Sequence, residues 1–350
     1  MRSEQSRQVC SFVTGQPLRT PSVLRLGSQG GASLHLMIDL MQQVPLGRSE
    51  LRTGRLAYGC WRIARTKDSG LNYQMARNAV VAALEAGYTL FDHADIYCSG
   101  AAEEVFGKVL HELGSERESM LIGTKCGIRF QGDPLPESPY RYDLTRDYIV
   151  HQAEQSLRRL GVDCIDLYQL HRPDLLMDHY EVAGALVKLR ESGKVREFGI
   201  SNFSPSQVSL LQSALPWPLA VNQIEISLCQ FGPFASGAVD QCQQLQITPL
   251  AWSPLGGGLL ANGASDILLH QRSYQVADLI TTLQEVASSR GTTREIIALA
   301  WLLRHPSGIV PIIGSVRPER IHAAAKAAEL TLTREEWYRL VVAARREPLP

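Results

Sequence analysis

Short runs of apolar residues alternate with amphipathic stretches along the chain from residue 56 onward. Strands that are apolar throughout are typical of sheets buried on both faces, where regular alternation with polar residues is absent. The pattern predicts eight such strands. They lie at residues 56–61, 89–92, 120–125, 165–170, 197–201, 221–225, 248–253 and 309–314.

Between these runs, apolar positions recur at helical spacing, which predicts helices. Local signals mark some ends: Ser204 before Pro205 is typical of a helix start, as is Thr145, and Ser192-Gly193 of a helix stop. The predicted helices cover residues 73–85, 102–113, 144–160, 181–191, 234–245, 276–289, 294–304, 318–328 and 334–344, with a further helix beginning at 205.

Buried strands that are each followed by a helix indicate a parallel sheet covered by helices. Eight such units favour closure into a barrel over an open sheet. We therefore predict an α/β protein with one (β/α)₈ TIM-barrel domain at residues 51–350. Residues 1–50, rich in Ser, Gln, Arg and Gly, are predicted to be a disordered extension or to precede the true start, at Met37 or Met41. A transit peptide is the alternative, since this segment has few acids.

Charge and cysteine usage narrow the function classes. The chain has 35 Lys and Arg against 35 Asp and Glu, and this balance indicates neither a nucleic acid nor an anionic membrane as a partner. Its 7 cysteines are scattered without metal-ligand spacing, which is typical of reduced thiols in the cytoplasm. We expect a cytoplasmic monomer without a metal site that acts on a small molecule.

Polar residues stand where the predicted strands end. Asp92 closes the second strand and Tyr97 follows in its turn, Lys125 closes the third and His171 follows the fourth. Further polar and aromatic side chains lie at the ends of later strands: Ser201, Asn202, Gln223, Trp252 and Ser253. The carboxyl ends of parallel barrel strands share one face, where barrel enzymes build their active sites.

Four of these residues suggest acid catalysis on a carbonyl group: Asp92, Tyr97, Lys125 and His171. A lysine cation held by Asp92 is expected to lower the pKa of Tyr97 toward neutrality. His171 can donate a hydrogen bond to a carbonyl oxygen. Together these groups would polarise a C=O bond, let its carbon accept hydride and supply a proton to its oxygen.

Several strings resemble the aldo-keto reductase superfamily, and most closely its bacterial YdhF-like oxidoreductases. They are FDHADIY at residues 91–97, TKC at 124–126, LHRP at 170–173 and GKVREFGISNF at 193–203. The resemblance covers roughly residues 52–345. It implies a TIM barrel that reduces carbonyl compounds with NADPH, using Asp92, Tyr97, Lys125 and His171 as catalytic residues.

The resemblance also implies a cofactor site. Ser201, Asn202 and Gln223 would hold the nicotinamide carboxamide, and Trp252 would stack on the nicotinamide ring. The residues implied along the phosphates are Ser253, Leu255 and Gly256 for the pyrophosphate, with Ser315 and Arg320 for the 2′-phosphate.

The chain departs from the family pattern at this phosphate end. Gly314 stands where many members have a lysine that contacts the 2′-phosphate, and Ala323-Ala324 where many have Glu-Asn. Arg317 is a candidate to compensate in part.

Two alternatives remain open from the sequence. Lys125 could be the nucleophile of a Schiff-base lyase, a chemistry that barrels also support. The chain could instead be an NADPH-binding regulatory subunit with vestigial turnover. For the reductase, Trp61, Phe130 and Phe231 predict an apolar pocket wall suited to an aromatic or aliphatic aldehyde or ketone.

Overall fold

The computed structural model describes residues 41–65, 69–261 and 267–349. Most of the predicted extension, residues 1–40, lies outside this part of the chain. The last residues of the predicted extension are described, and Gln43–Pro45 pairs antiparallel with Arg52–Gly54 in a hairpin. Leu46, in the turn of that hairpin, is fully buried, and the Gly47 amide donates to Thr248 Oγ1 at 2.7 Å. The hairpin packs against the amino ends of the barrel strands, so ordered structure begins before residue 51.

A closed barrel of parallel strands forms the centre of the described chain, and each predicted strand is confirmed. The strands are β1 Ala57–Gly59, β2 Leu90–Asp92, β3 Leu121–Cys126, β4 Ile165–Leu170, β5 Val195–Ser201, β6 Val221–Glu225, β7 Thr248–Trp252 and β8 Val310–Ile313. Each pairs with the next in chain order, and β8 pairs with β1 to close the ring. The predicted (β/α)₈ TIM barrel is therefore confirmed.

Helices surround the barrel in the described residues. They are α1 Ser69–Glu85, α2 Ala101–Leu113, α3 Arg146–Leu160, α4 His179–Glu191, α5 Pro205–Ala214, α6 Gly232–Ala235, α7 Ala238–Leu245, α8 Ala277–Ser289, α9 Arg294–Leu303, α10 Pro318–Ala325 and α11 Arg334–Arg345. No helix in this part of the chain is long and apolar enough to cross a lipid bilayer.

Helix ends follow the local signals in most places. The Ser204 hydroxyl accepts from the Gln207 amide, and the Gln207 side chain accepts from the Ser204 amide, which fixes the start of α5. The single helix predicted over residues 234–245 is wrong. Gly237 adopts a left-handed conformation with φ of 75°, which ends α6 and starts α7.

One glycine sets the distance between two outer helices. A Cβ on Gly107 of α2 would lie 2.6 Å from the Arg159 carbonyl oxygen and 2.7 Å from that of Leu160. These are backbone atoms of α3, so they cannot move aside without shifting the helix.

We expect Gly107→Ala to lower the free energy of unfolding by about 1–3 kcal/mol, the usual cost of overpacking. Urea denaturation measures it. Gly184→Ala in α4 is the matched control, because its Cβ would meet the flexible end of the Arg146 side chain. Equal losses in the two variants would contradict the close approach of α2 and α3.

Candidate active site

A cleft of about 970 Å³ opens at the carboxyl ends of the barrel strands. The predicted site residues that line it are Asp92, Tyr97, His171, Ser201, Asn202, Gln223, Trp252, Ser253, Leu255, Ser315 and Arg320. Lys125 lies beneath its floor, fully buried and bonded to Asp92. Gly256 stands between Leu255 and Gly257, which both line the wall. The fold therefore brings the predicted residues to one place.

A buried ion pair forms the floor of the cleft. Lys125 Nζ lies 2.6 Å from Asp92 Oδ1 and donates to the His93 carbonyl oxygen at 2.7 Å. Both side chains are almost completely excluded from solvent. Burial lowers the pKa of Lys125, and the neighbouring Asp92 carboxylate opposes this shift.

Two glutamines complete the surroundings of Asp92. Gln223 Nε2 donates to Asp92 Oδ1 at 2.8 Å, and Gln169 Nε2 approaches the same oxygen at 3.4 Å. Gln223 thus contacts the ion pair, a role that the resemblance did not imply for it. Gln169 was missed in the sequence, although a glutamine inside the fully buried strand β4 is itself a signal, because buried amides need partners.

Tyr97 lies half-buried at the cleft wall beside this pair. Lys125 Nζ is 5.2 Å from the centroid of its ring, and the His171 ring lies edge-on at 6.0 Å. Burial raises the pKa of the Tyr97 phenol well above 10, and the negative charge of Asp92 adds to the shift. The pKa of Tyr97 in the free protein is therefore raised, not lowered as expected, because desolvation outweighs the stabilisation of the phenolate by nearby positive charge. The phenol stays protonated at neutral pH, as a proton donor must.

A strained turn sets the direction of Tyr97. The next two residues, Cys98 and Ser99, have φ of 51° and 56°, a region that side chains other than Gly adopt rarely. The Tyr97 amide donates to the Ala94 carbonyl oxygen at 3.0 Å. This turn joins β2 to α2 and holds the phenol at the mouth of the barrel.

His171 faces the phenol from the end of β4. Burial lowers its pKa well below 6.5, and the positive charges of Lys125 and Arg172 act in the same direction. The imidazole is therefore neutral at neutral pH and has one N–H to donate. Its Nδ1 is buried without a hydrogen-bond partner among the described residues.

Hydrogen bonds fix the residues implied for the nicotinamide. The Ser201 hydroxyl donates to the Gln223 carbonyl oxygen at 2.8 Å. Asn202 Nδ2 donates to Ser201 Oγ at 2.8 Å, and Asn202 Oδ1 accepts from Trp252 Nε1 at 2.9 Å. Amide and hydroxyl groups beside a partly exposed indole suit a planar ring that bears a carboxamide.

The part of the cleft around the start of α10 is basic. Ser315, Arg317 and Arg320 line it there. The turn Gly256–Gly258 contributes Gly257 and Gly258 to the cleft wall, and all three glycines have positive φ. An indole beside amide groups, a glycine turn and basic side chains together suit a nicotinamide dinucleotide.

A second polar cluster holds the loop after β7 to the barrel rim. Glu225, at the end of β6, accepts from His270 Nε2 at 2.8 Å, Gln271 Nε2 at 2.6 Å and the Tyr274 hydroxyl at 3.3 Å. The sequence offered no local signal for this cluster, because Glu225 stands more than 40 positions before its three partners.

The buried carboxyl of Asp95, beside the site, makes the stability of the fold depend on pH. Burial raises the pKa of Asp95 to about 8, and Glu103 adds to the shift. An unfolded aspartate titrates near 4. Folding therefore favours protonated Asp95, and its contribution to stability is present below about pH 4 and lost as the pH rises through about 8.

We expect Asp95→Asn to remove this dependence. Relative to the variant, the wild type should lose free energy of unfolding as the pH rises from about 4 to about 8. Urea denaturation across that range measures the difference, and the exposed Asp163→Asn is the control for removing one carboxylate. A constant difference between wild type and Asp95→Asn would contradict the buried, protonated state.

Comparison with known proteins agrees with this fold. The family model for the Aldo/keto reductase family matches residues 55–344. A 6-dehydroglucose reductase of Novosphingobium aromaticivorans is 42% identical over 87% of this chain and 96% of its own length. Oxidoreductase YdhF of Escherichia coli is 40% identical over 87% of this chain and 98% of its own.

A solved structure shares the fold. The crystal structure of a thermostable aldo-keto reductase in complex with the inhibitor epalrestat superimposes with a TM-score of 0.73 and 28% identity. It covers 87% of this chain and 100% of the other. The resemblance found in the sequence is thereby confirmed, and the chain belongs to the Aldo/keto reductase family of oxidoreductases.

Proposed function

We propose that this protein reduces an aldehyde or ketone to an alcohol with NADPH, and that Tyr97 is the general acid. The observation that supports it most strongly is the floor of the cleft. There a protonated phenol, a neutral imidazole and the buried pair of Asp92 and Lys125 adjoin the Trp252 end. The phenol and the imidazole are in the protonation states that carbonyl reduction requires.

The proton moves through this chain's own residues. When bound, the reduced nicotinamide supplies hydride to the carbonyl carbon. His171 donates a hydrogen bond that orients the carbonyl oxygen. The Tyr97 hydroxyl transfers its proton to that oxygen, which becomes the alcohol hydroxyl. The Lys125 cation, held by Asp92, stabilises the phenolate that remains.

The basic residues around the start of α10 favour NADPH over NADH as the cofactor. Aldo-keto reductases generally use NADH or NADPH. Arg317 and Arg320 beside Ser315 supply positive charge where the resemblance implies the 2′-phosphate. Guanidinium groups suit this task, because their planar fork pairs with phosphate oxygens.

The aromatic wall and the relatives together suggest the substrate. Trp61, Phe130 and Tyr140 line the cleft, whereas Phe231 packs against Trp301 with ring centroids 5.6 Å apart. Phe231 therefore does not line this wall, contrary to our expectation. The relatives from Novosphingobium aromaticivorans and Agrobacterium fabrum, 42% and 38% identical, are named 6-dehydroglucose reductases. We include an aldehyde borne by a sugar among the candidate substrates, beside aromatic and aliphatic aldehydes.

The geometry weighs against a Schiff-base lyase. Lys125 Nζ is fully buried and is bonded both to Asp92 and to the His93 carbonyl oxygen. A nucleophilic amine would need to be neutral and open to the substrate.

Oxidation of NADPH and of NADH by the purified protein tests the proposal. The carbonyl panel is 4-nitrobenzaldehyde, methylglyoxal and 6-dehydroglucose, and loss of the reduced nicotinamide absorbance is followed. We expect turnover with at least one carbonyl and a lower KM for NADPH than for NADH. Tight NADPH binding with no turnover would support the regulatory subunit instead. If the protein bound neither NADPH nor NADH, both the reductase and the regulatory subunit would be excluded.

A further inference from the structure

Arg172 lines the cleft and directly follows His171 in the chain. The backbone is anchored there, since the His171 amide donates to the Cys126 carbonyl oxygen at 2.7 Å and the His171 carbonyl oxygen accepts from Asn202 Nδ2 at 3.3 Å. The Arg172 guanidinium lies 5.7 Å from the ring centroid of Trp252. The fold therefore holds a cation beside the residues proposed for hydride and proton transfer.

Arg172 is only partly exposed to solvent. Among the residues that the structure describes, its guanidinium makes no ion pair and donates no hydrogen bond. Its contact with the Trp252 ring is close to the outer limit of about 6 Å for a cation–π interaction. Withdrawing a charge from water is unfavourable unless an opposite charge or hydrogen bonds replace the water. A cation held in a cleft in this way is suited to a negatively charged ligand.

The charge of Arg172 acts on the groups that would receive the substrate. Burial is the main cause of the lowered pKa of His171 and of the raised pKa of Tyr97, and the positive charge of Arg172 is among the smaller causes at both. The same charge opposes the rise that burial causes in the pKa of Tyr140, in the aromatic wall. A substrate whose carbonyl oxygen meets Tyr97 can therefore place a second group against Arg172.

We propose that Arg172 binds an oxyanion carried by the carbonyl substrate, a carboxylate or a phosphate, and so selects for negatively charged aldehydes and ketones. This inference rests on the proposed function and names the substrate class for the same site. A guanidinium suits the task, because its planar fork pairs with two oxygens of either group. Because Arg172 follows His171 and contacts the Trp252 ring, it is placed for the substrate rather than for the phosphates of the dinucleotide.

Two pairs of aldehydes that differ in charge test the proposal. One pair is 4-formylbenzoate and 4-nitrobenzaldehyde, whose carboxylate and nitro groups share a planar shape. The other pair is glyceraldehyde 3-phosphate and glyceraldehyde. Steady-state oxidation of saturating NADPH gives kcat/KM for each aldehyde. We expect Arg172→Met to lower kcat/KM for at least one oxyanion substrate by about 10- to 100-fold, the range for loss of a charge-assisted hydrogen bond, and to change that for its neutral counterpart little.

Two further variants separate the charge of Arg172 from its packing. Arg172→Lys keeps a cation but not the planar fork, so it should retain part of the preference for the oxyanion. Arg317→Met is the matched control, because it removes another arginine that lines the cleft, at the start of α10. It should raise the KM for NADPH and leave the ratio of kcat/KM between charged and neutral aldehydes unchanged. Urea denaturation establishes that each variant is folded.

The pair of aldehydes that responds identifies the oxyanion. An equal change for the charged and the neutral aldehyde in Arg172→Met, or no change in either, would overturn the inference. A wild type that reduces neutral carbonyls and neither oxyanion substrate would overturn it as well. In these cases the proposed function stands, because carbonyl reduction itself is observed. A wild type that oxidises NADPH with no carbonyl of these pairs or of the panel above would instead refute the proposed function.

Discussion

Replacing Tyr97 with phenylalanine is expected to lower kcat for carbonyl reduction by about 10²- to 10⁴-fold, the usual contribution of a general acid. The variant keeps the ring that packs between Trp61 and His171 and removes the hydroxyl alone. NADPH affinity should stay unchanged, because no proton is transferred on binding. Steady-state kinetics with the carbonyl turned over fastest, together with calorimetric titration of NADPH, measures both quantities.

Tyr140→Phe is the matched control for this prediction. Tyr140 lines the same cleft, but 54% of it is exposed, and it lies outside the group around the Asp92–Lys125 pair. Loss of the Tyr140 hydroxyl should change kcat little. If Tyr97→Phe kept wild-type kcat, the proton donor would have to be another group, and His171 would be the next candidate.

Removing one partner of the buried ion pair is expected to destabilise the fold strongly. Lys125→Met leaves the Asp92 carboxylate buried without its cation. Asp92→Leu removes the ion pair of the Lys125 ammonium and leaves its bond to the His93 carbonyl oxygen. Each single change should lower the free energy of unfolding by about 3–5 kcal/mol. Urea denaturation with far-UV circular dichroism measures it, and activity should be lost in both variants.

The double variant Asp92→Leu/Lys125→Met distinguishes pairing from packing. Because both charges are then absent, it should be less destabilised than the sum of the single variants. Free energies that simply add would show that the two side chains are not coupled. In that case the 2.6 Å contact would contribute nothing to the stability of the barrel.

The sequence predicted those site residues that stand at the ends of strands. Asp92 and Lys125 each close an apolar run, and the closed barrel brings those ends to one face. Their ion pair follows from that placement. Gln169 was missed because its partners lie on β2 and β6, and strand order alone does not say which side chains meet inside the barrel.

The protonation states were not predictable from residue types. Lys125 beside Tyr97 suggested a lowered phenol pKa, yet burial raises it. Desolvation depends on how completely the surrounding loops cover a group, and no local pattern records that coverage. The break between α6 and α7 is a smaller case, because a single glycine can be tolerated in a helix or can end it.

The sequence by itself determined the barrel, the residues at the carboxyl ends of its strands and the family, because each of these follows from local periodicity or a short string. The tertiary structure alone decided which distant groups touch. Arg62 meets Gly314 across 252 positions, and Glu225 meets His270 across 45. Closure of the barrel makes the first contact, because it places β8 next to β1. The second forms because the loop after β7 lies against the end of β6. Contacts of this kind depend on the path of the whole chain and leave no trace in any one segment.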